Sequence, residues 1–308
     1  DWYRNVFAIV GGSHQANFDG TTIDLQKHAY LGIEFPNYWN LRTFVINDAT
    51  SFDDRRTRGG PTVKVAGNTF GHLQVSTDPR RGAVFDVQLR GATGVDGTKM
   101  YAFAPGVALK PAANLFVQLS PSYSHDEQSQ QYIRRQADAT ATAFGGARYV
   151  FSHLETRIMS LNTRVNWTMR PALTLQVFAQ PFFASGDYSR FREFAAPRTL
   201  EMLDYGTDIG TIAQDPATRA YTVDPDGPAG PAAPFTVTDP NFSSRSLRGT
   251  AVLRWEYRPG STMFFVWTQQ RSGVSHFGDY DFGRDSRALL GDRPDNVFLV
   301  KATYWIGR

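Results

Sequence analysis

An alternating strand, a tight proline turn and a second alternating strand recur three times along this chain. The clearest copy spans 247–268 and turns at Arg258-Pro259-Gly260. The other two copies turn at Lys110-Pro111-Ala112 and at Arg170-Pro171-Ala172. Because successive residues of a strand point to opposite faces, each copy has one apolar face and one polar face. Repetition at hairpin spacing, with aromatic residues beside the turns, is typical of an outer-membrane β-barrel.

The same alternation extends over most of the 308 residues, and no stretch shows convincing helical periodicity. It predicts about twelve strands, at 4–12, 27–35, 39–48, 69–77, 83–92, 99–109, 113–124, 154–169, 173–186, 245–257, 262–271 and 297–306. Even strand numbers are usual in single-chain bacterial barrels. The predicted fold is therefore an all-β, antiparallel transmembrane β-barrel that forms a single domain over 1–308. The opening Asp1-Trp2-Tyr3-Arg4, without an initiating Met, is expected to belong to a fragment of a longer chain.

The connections between predicted strands alternate in length. The short ones are the three proline turns together with 36–38 and 78–82. The long ones lie at 13–26, 49–68, 125–153, 187–244 and 273–296, and 93–98 is a short exception among them. This alternation predicts short periplasmic turns and long extracellular loops. Within 187–244 we expect a small hairpin between 221–223 and 235–237, on a loop that covers the barrel mouth or contacts something outside.

Composition limits the other classes of protein. The net charge is +3, from 32 basic and 29 acidic residues, and the arginines are scattered, so nucleic acid is not an expected partner. The chain has no Cys, which excludes a disulfide scaffold and thiolate metal sites. A soluble β-sandwich also uses alternating strands, but it gives no reason for every second connection to be long.

One face of the predicted strands is apolar and carries no charge along Leu31, Leu89, Val117, Val177 and Val300. We expect this face to contact outer-membrane lipid and lipopolysaccharide. Aromatic residues next to the short turns predict a belt at the lipid–water boundary. The residues of this belt are Trp39, Trp167, Trp255 and Tyr257. The predicted localisation is the bacterial outer membrane.

The opposite face carries charged side chains that would line the barrel interior. The lining candidates are Glu34, Asp86, Arg90, Arg164, Arg254, Glu256 and Lys301. Opposite charges among them can pair as an internal lock, which is a structural role. Alternatively, the arginines can make the lining prefer anions or polyhydroxylated solutes, because a guanidinium stays charged and offers several donors. About twelve strands predict a narrow lumen, since large aqueous channels need about 16–18 strands.

Residue patterns for catalysis and metal binding are weak, and we expect no enzyme activity and no cofactor. The six His residues are too far apart in sequence for a zinc cluster. Ser152 and His153 are adjacent on a strand and therefore point to opposite faces. Asp279, Asp281 and Asp285 have a spacing that calcium ligands use, but Leu290 stands where the loop would need Glu and Arg284 lies among the ligands, so an ordinary polar outer loop is favoured over a calcium site.

Several segments resemble one bacterial family, most densely from about 150 onwards. They are 186–188, 191–194, 241–242, 245–249, 253–261, 264–269 and 301–305. The sequence Leu253-Arg254-Trp255-Glu256-Tyr257-Arg258-Pro259-Gly260-Ser261 is the most specific of them. The family is the Gram-negative outer-membrane family termed domain of unknown function 5916. In it a carbohydrate-binding-like β-sandwich module precedes a large C-terminal barrel. The resemblance implies that barrel without the sugar-binding-like module, and it implies no catalytic residues.

Two functions are consistent with these patterns. The first is a channel or uptake-type barrel whose outer loops meet a ligand. The alternative is a structural docking barrel that anchors a periplasmic or surface partner protein, or its own binding module. A lumen free of inserted segments favours transport, whereas a plugged lumen favours docking.

Overall fold

The computed structural model of this chain describes residues 1–307. Its strands, in chain order, are β1 (Asn5–Ala16), β2 (Thr22–Glu34), β3 (Asn40–Asp48), β4 (Ser51–Asp53), β5 (Val63–Val65), β6 (Asn68–Ser76), β7 (Ala83–Gly94), β8 (Lys99–Ala112), β9 (Leu115–Ala137), β10 (Ala147–Arg170), β11 (Leu173–Phe194), β12 (Met202–Asp204), β13 (Thr211–Gln214), β14 (Tyr221–Asp224), β15 (Phe235–Val237), β16 (Phe242–Arg258), β17 (Ser261–Ser275) and β18 (Asp295–Thr303). One α-helix, α1 (Phe282–Gly291), and one 3-10 turn, Thr142–Phe144, complete the secondary structure of the described residues.

Twelve of these strands form one antiparallel sheet in the order β1-β2-β3-β6-β7-β8-β9-β10-β11-β16-β17-β18. Each pairs with the next long strand along the chain, as in a meander of hairpins. Every one of the twelve predicted strands corresponds to one of them. Of the remaining short strands, β4 pairs with β5, and β13, β14 and β15 form a three-stranded sheet. Strand β12 pairs with the outer end of β11.

The sheet does not close on itself within the described residues, because β1 and β18 are both edge strands and no ladder joins them. Both edges are apolar on both faces. On β18, Val297 and Leu299 share one face and Phe298 and Val300 the other, and all four are more than half exposed. The closed twelve-stranded barrel predicted from the sequence is therefore not formed. Alternation fixes the two faces of a strand, whereas closure depends on strand number, tilt and stagger together.

Two of the three proline turns lie where they were predicted, at Pro171-Ala172 and Pro259-Gly260, whereas Lys110-Pro111-Ala112 ends β8 and the chain turns at Ala113-Asn114. At the Pro259-Gly260 turn, Gly260 has a φ of +77°, which is costly for any residue with a Cβ. The turn between β2 and β3 places Tyr38 at a φ of +64°. Guanidinium groups of Arg4 and Arg80 lie 3.8 and 3.1 Å from the centre of its ring, so cation–π contacts hold this turn.

Several predicted loops are largely strand. The connection predicted at 13–26 is reduced to 17–21, and that predicted at 125–153 is reduced to 138–146, because β1, β2, β9 and β10 continue into them. Strands β9, β10 and β11 run for 23, 24 and 22 residues. A strand is about 3.3 Å long per residue, so these three extend well beyond the neighbouring strands β8 and β16 at the end away from the short turns.

The upper ends of β9–β11 carry a separate folded unit, here called the outer lobe, made of 51–65, 127–155 and 187–237. Most of the buried apolar side chains of the described chain lie in it, in two clusters. The first cluster contains Val150, Phe191, Tyr205, Val223, Phe235 and Val237. The second contains Val63, Ala147, Tyr149, Phe151 and Phe194. The segments 221–223 and 235–237 pair in register here, as β14 and β15.

Helix α1 was not expected from the sequence. Asp281 caps it, since its side chain accepts a hydrogen bond from the backbone N–H of Arg284 at 2.7 Å. None of the helices within residues 1–307 has the length and apolarity that crossing a bilayer would require.

Candidate functional site

Register places the seven predicted lining residues on one face of the sheet, here called the polar face. Glu34, Asp86, Arg90, Arg164, Arg254, Glu256 and Lys301 all alternate with the apolar residues of their strands. Arg254 and Glu256 form an ion pair at 3.3 Å, whereas Glu34 pairs with Arg4. Arg90, Arg164 and Lys301 have no ion pair within residues 1–307. The internal lock is therefore formed at only one of the three predicted arginines.

The opposite, apolar face is the more exposed of the two. On β7, Phe85, Val87 and Leu89 are 54, 37 and 44% exposed. Between them, Asp86 and Gln88 are half-buried. In a soluble sheet that packs on a core, apolar side chains are buried and polar ones are exposed. Strand β7 has the reverse pattern.

The exposed apolar face forms a continuous band across the long strands. On four strands it covers nine residues without a charge on that face, namely 101–109, 115–123, 159–167 and 247–255. The next residue of that face, at the end away from the short turns, is basic on every one of these strands. These residues are Lys99, His125, Arg157 and Arg245. These four residues stand in three successive paired rows of that face, since Lys99 pairs with Glu127, His125 with Arg157, and Arg245 with Phe183.

The predicted aromatic belt lies at the lower end of this band. Trp39, Trp167, Trp255 and Tyr257 are 43, 41, 45 and 37% exposed on the apolar face, next to short turns. The rings of Trp255 and Tyr257 meet edge to face at 6.1 Å, and the Tyr257 hydroxyl donates to the carbonyl of Thr303 at 3.1 Å.

A cavity of about 310 Å³ lies where the polar face meets the outer lobe. Two carboxylates contribute to its lining, Asp96 from the turn after β7 and Asp126 from β9. Asp96 accepts hydrogen bonds from the backbone N–H of Thr98 at 3.1 Å and from the buried Ser129 hydroxyl. Asp126 accepts one from the Gln128 amide at 3.0 Å. Carboxylate, hydroxyl and carboxamide groups therefore converge on one cavity.

Other side chains complete this cavity. Arg56 reaches it from the outer lobe and donates to the backbone carbonyl of Gln130 at 3.3 Å. Met100 and Ala92 supply an apolar floor from β8 and β7. A small apolar surface ringed by directional polar groups fits a polyhydroxylated ligand, whose C–H faces and hydroxyl groups need both.

Sequence analysis missed this cavity because it assigned 125–153 to a loop. The polar-face series Ser120, Ser122, Ser124, Asp126, Gln128 and Gln130 does keep a period of two. Above Tyr123, however, the other face also becomes polar, at His125 and Glu127. A half-buried strand is recognised from apolar and polar residues that alternate, and a segment that is polar on both faces shows no such alternation.

Ion pairs tie the outer lobe together. The Arg148 guanidinium contacts Asp138 at 2.5 Å and Glu193 at 2.6 Å, and the Tyr205 hydroxyl donates to Glu193 at 2.7 Å. Burial raises the pKa of the Glu193 carboxyl above its usual value, although Tyr205 and Arg148 oppose that shift. Burial and the neighbouring Glu193 also raise the pKa of the Tyr205 phenol. The lobe therefore holds a titratable carboxyl away from water.

The stability of the outer lobe should depend on pH through Glu193. A carboxyl with a raised folded-state pKa contributes stability that is complete below its unfolded pKa of about 4.3 and is lost as pH rises through the folded pKa. Relative to Glu193→Gln, the native lobe should therefore lose opening free energy as the pH rises above about 4.3 and through the raised folded-state pKa. Amide hydrogen exchange of 191–194 measures this difference. Glu201→Gln, at an exposed position of the same lobe, is the control, and a difference that is constant with pH would contradict the prediction.

The proposed calcium ligands are used in other contacts. Arg284 contacts Asp279 at 2.9 Å and Asp285 at 3.0 Å, while Asp281 caps α1. Within residues 1–307 no group of three acidic or His side chains is arranged to hold a metal ion. The Ser152 hydroxyl is buried and donates to the carbonyls of His153 and Ser189, at 2.8 and 2.9 Å. The three carboxylates of 279–285 are thus engaged by Arg284 or by the start of α1.

Comparison with known families identifies the chain. The model of the family described as Domain of unknown function (DUF5916) matches residues 14–307. The chain belongs to the DUF5916 family. Curated proteins give no match to this DUF5916 chain. Among solved structures it is similar to the copper transporter OprC, with 11% sequence identity and a TM-score of 0.48 over 98% of the chain. The DUF5916 chain covers 42% of that transporter's length.

Proposed function

We propose that this DUF5916 chain spans the bacterial outer membrane as a β-barrel wall and acts in channel- or uptake-type transport of a polyhydroxylated solute. The observation that carries the membrane part is the exposed apolar band. A strand of nine residues is about 30 Å long, and a tilt of about 35–45° reduces this to a height of about 20–25 Å. Transmembrane strands need about 9–11 residues, and barrels present an apolar band about 25 Å tall.

The ends of the band support an orientation. Aromatic side chains near the short turns suit one lipid–water boundary, and the exposed Lys99 and partly exposed Arg157 suit lipid phosphates at the other. The short turns then face the periplasm, and the outer lobe faces the cell exterior. In this orientation the apolar face contacts lipid and lipopolysaccharide.

The polar face supports the transport part. The cavity that contains Asp96 and Asp126 lies at its outer end, where a solute from outside would arrive first. Arg90 and Arg164 follow further down the face, free of ion pairs within the described chain. A solute that descends along this face meets hydrogen-bonding groups at each step. We infer no enzymatic step, because the residues that converge here suit binding.

A docking barrel is the second candidate, and the two edge strands favour it. β1 and β18 present unpaired backbone groups flanked by apolar side chains on both faces. Such edges accept further strands. A partner protein, or another part of a longer polypeptide, would then complete the wall, and the outer lobe would be its external anchor point.

Planar bilayers with the full-length chain test the proposal. We expect a conductance that a neutral oligosaccharide lowers, and Asp126→Asn should weaken that block by about tenfold, the loss of roughly one charged hydrogen bond. Asp19→Asn, in the exposed turn after β1, is the control.

Unpaired Arg90 and Arg164 should shift the reversal potential in a salt gradient toward the anion, and cation selectivity would contradict their role. A chain that inserts without conductance would support docking.

A further inference from the structure

We propose that the apolar cleft between α1 and the apolar face of β10, β11 and β16 binds one acyl chain of a bilayer lipid. This inference rests on the proposed membrane location. It adds a defined lipid site, formed between α1 and the sheet, to the lipid-facing surface of the protein.

Helix α1 lies on the apolar face and does not cover the polar face. The ring of Phe282 meets that of Phe183 on β11 at 5.8 Å, and the Tyr280 hydroxyl contacts the sulfur of Met159 on β10 at 2.9 Å. Both Phe183 and Met159 belong to the uppermost row of the apolar band. The helix therefore sits at the upper boundary of the proposed membrane segment.

Charged contacts fix the far end of α1. Arg245 donates two hydrogen bonds to Asp292, at 2.7 and 2.9 Å, and Arg271 donates to the backbone carbonyls of Leu290 and Asp292. The Arg245–Asp292 pair is largely buried, with side chains 14 and 18% exposed. Together with the contacts of Phe282 and Tyr280 at its start, these contacts fix α1 over the apolar face at both ends, with the cleft between them.

The cleft has a volume of about 330 Å³ and an almost entirely apolar lining. Leu161, Pro181 and Leu247 line it from the sheet, and Phe282 and Leu289 from the helix. Its volume is at the small end of the range for ligand pockets, about 300–1,000 Å³. A single hydrocarbon chain fits such a space, whereas a polar solute would find too few hydrogen-bond partners.

The position of the cleft identifies the source of the chain. Leu161 and Pro181 lie one row further down the apolar band than Met159 and Phe183, so the cleft continues into the band. At its rim, Leu290 and Phe282 are 69 and 52% exposed. An acyl chain that stands upright in the adjacent leaflet therefore reaches the cleft without leaving an apolar environment, and its burial is favourable.

Lipid retention after detergent exchange tests this site. The full-length chain is inserted into vesicles that contain a phospholipid with a diazirine-bearing acyl chain. The protein is then solubilised, transferred into fresh detergent to remove loosely bound lipid, and photolysed. We expect crosslinks at 159–161 and 286–290 to persist. Ser286→Phe fills the cleft and should lower the retained crosslinks by about tenfold or more, because several methylenes lose their burial.

A matched substitution on the same helix separates the cleft from the helix itself. Arg287 is exposed on the solvent side of α1, so Arg287→Phe should leave retention unchanged. Equal retention in Ser286→Phe and the native chain, or no retained crosslink at 286–290, would overturn the site. Crosslinks photolysed in the intact vesicle along 115–123 and 175–183 report on membrane insertion independently. Their presence without cleft retention contradicts only this inference, and their absence contradicts the membrane location.

Discussion

Val177→Arg should impair assembly into a bilayer by about 2–4 kcal/mol, whereas Gln176→Arg, one residue earlier, should be tolerated. Val177 lies on the apolar face of β11, opposite Val165 and Ala251, in the middle of the apolar band. Its replacement by a guanidinium would place a charge in hydrocarbon. Gln176 is exposed on the polar face, beside Arg164. There an added charge stays in water.

Folding of the full-length chain into vesicles, followed by protease protection, measures this effect. Val177→Leu is the matched control, since it keeps an apolar side chain at the same position. Equal assembly of both arginine variants would contradict the membrane assignment of the apolar face. A stronger defect for Gln176→Arg would mean that the two faces are assigned in reverse.

The twelve long strands were predictable because apolar and polar residues alternate along them, as expected of strands with one face toward lipid and the other toward water. On β7, Phe85, Val87 and Leu89 alternate with Asp86 and Gln88, and the observed strand covers the predicted range 83–92. Pro171 and Pro259 mark hairpin ends, since proline fixes one backbone angle and removes a donor, whereas Pro111 belongs to the end of β8. The seven lining residues follow from that alternation, and all of them lie on the polar face.

Other features left no such pattern. Above Tyr123 both faces of β9 are polar, so Asp126 and its cavity were taken for part of a loop. Helix α1 is short, and its first residues were assigned to a polar loop, although Asp281 acts as a helix cap. The clusters of the outer lobe join residues far apart in sequence, such as Val63 and Phe194. Such contacts arise from tertiary packing, which period and composition do not report.

Phe151→Ala should destabilise the outer lobe by about 3–5 kcal/mol, the cost of removing a buried aromatic side chain and leaving a cavity. Phe151 is fully buried. Its ring meets those of Tyr132 and Phe194 edge to face, at 5.6 and 5.1 Å. Because it joins β9, β10 and β11 above the apolar band, its loss should open the lobe and leave the sheet below intact.

Limited proteolysis at 224–231, together with hydrogen exchange of 149–151, reports on the lobe, and exchange of 163–167 reports on the sheet. Phe18→Ala is the matched control, since Phe18 is fully exposed in the turn after β1 and touches neither cluster. Faster cleavage at 224–231 with unchanged exchange at 163–167 is the expected result. Equal acceleration in both regions would mean that lobe and sheet unfold as one cooperative unit. In that case the long strands would transmit the stability of the lobe into the proposed membrane segment, because β9–β11 run through both without a break.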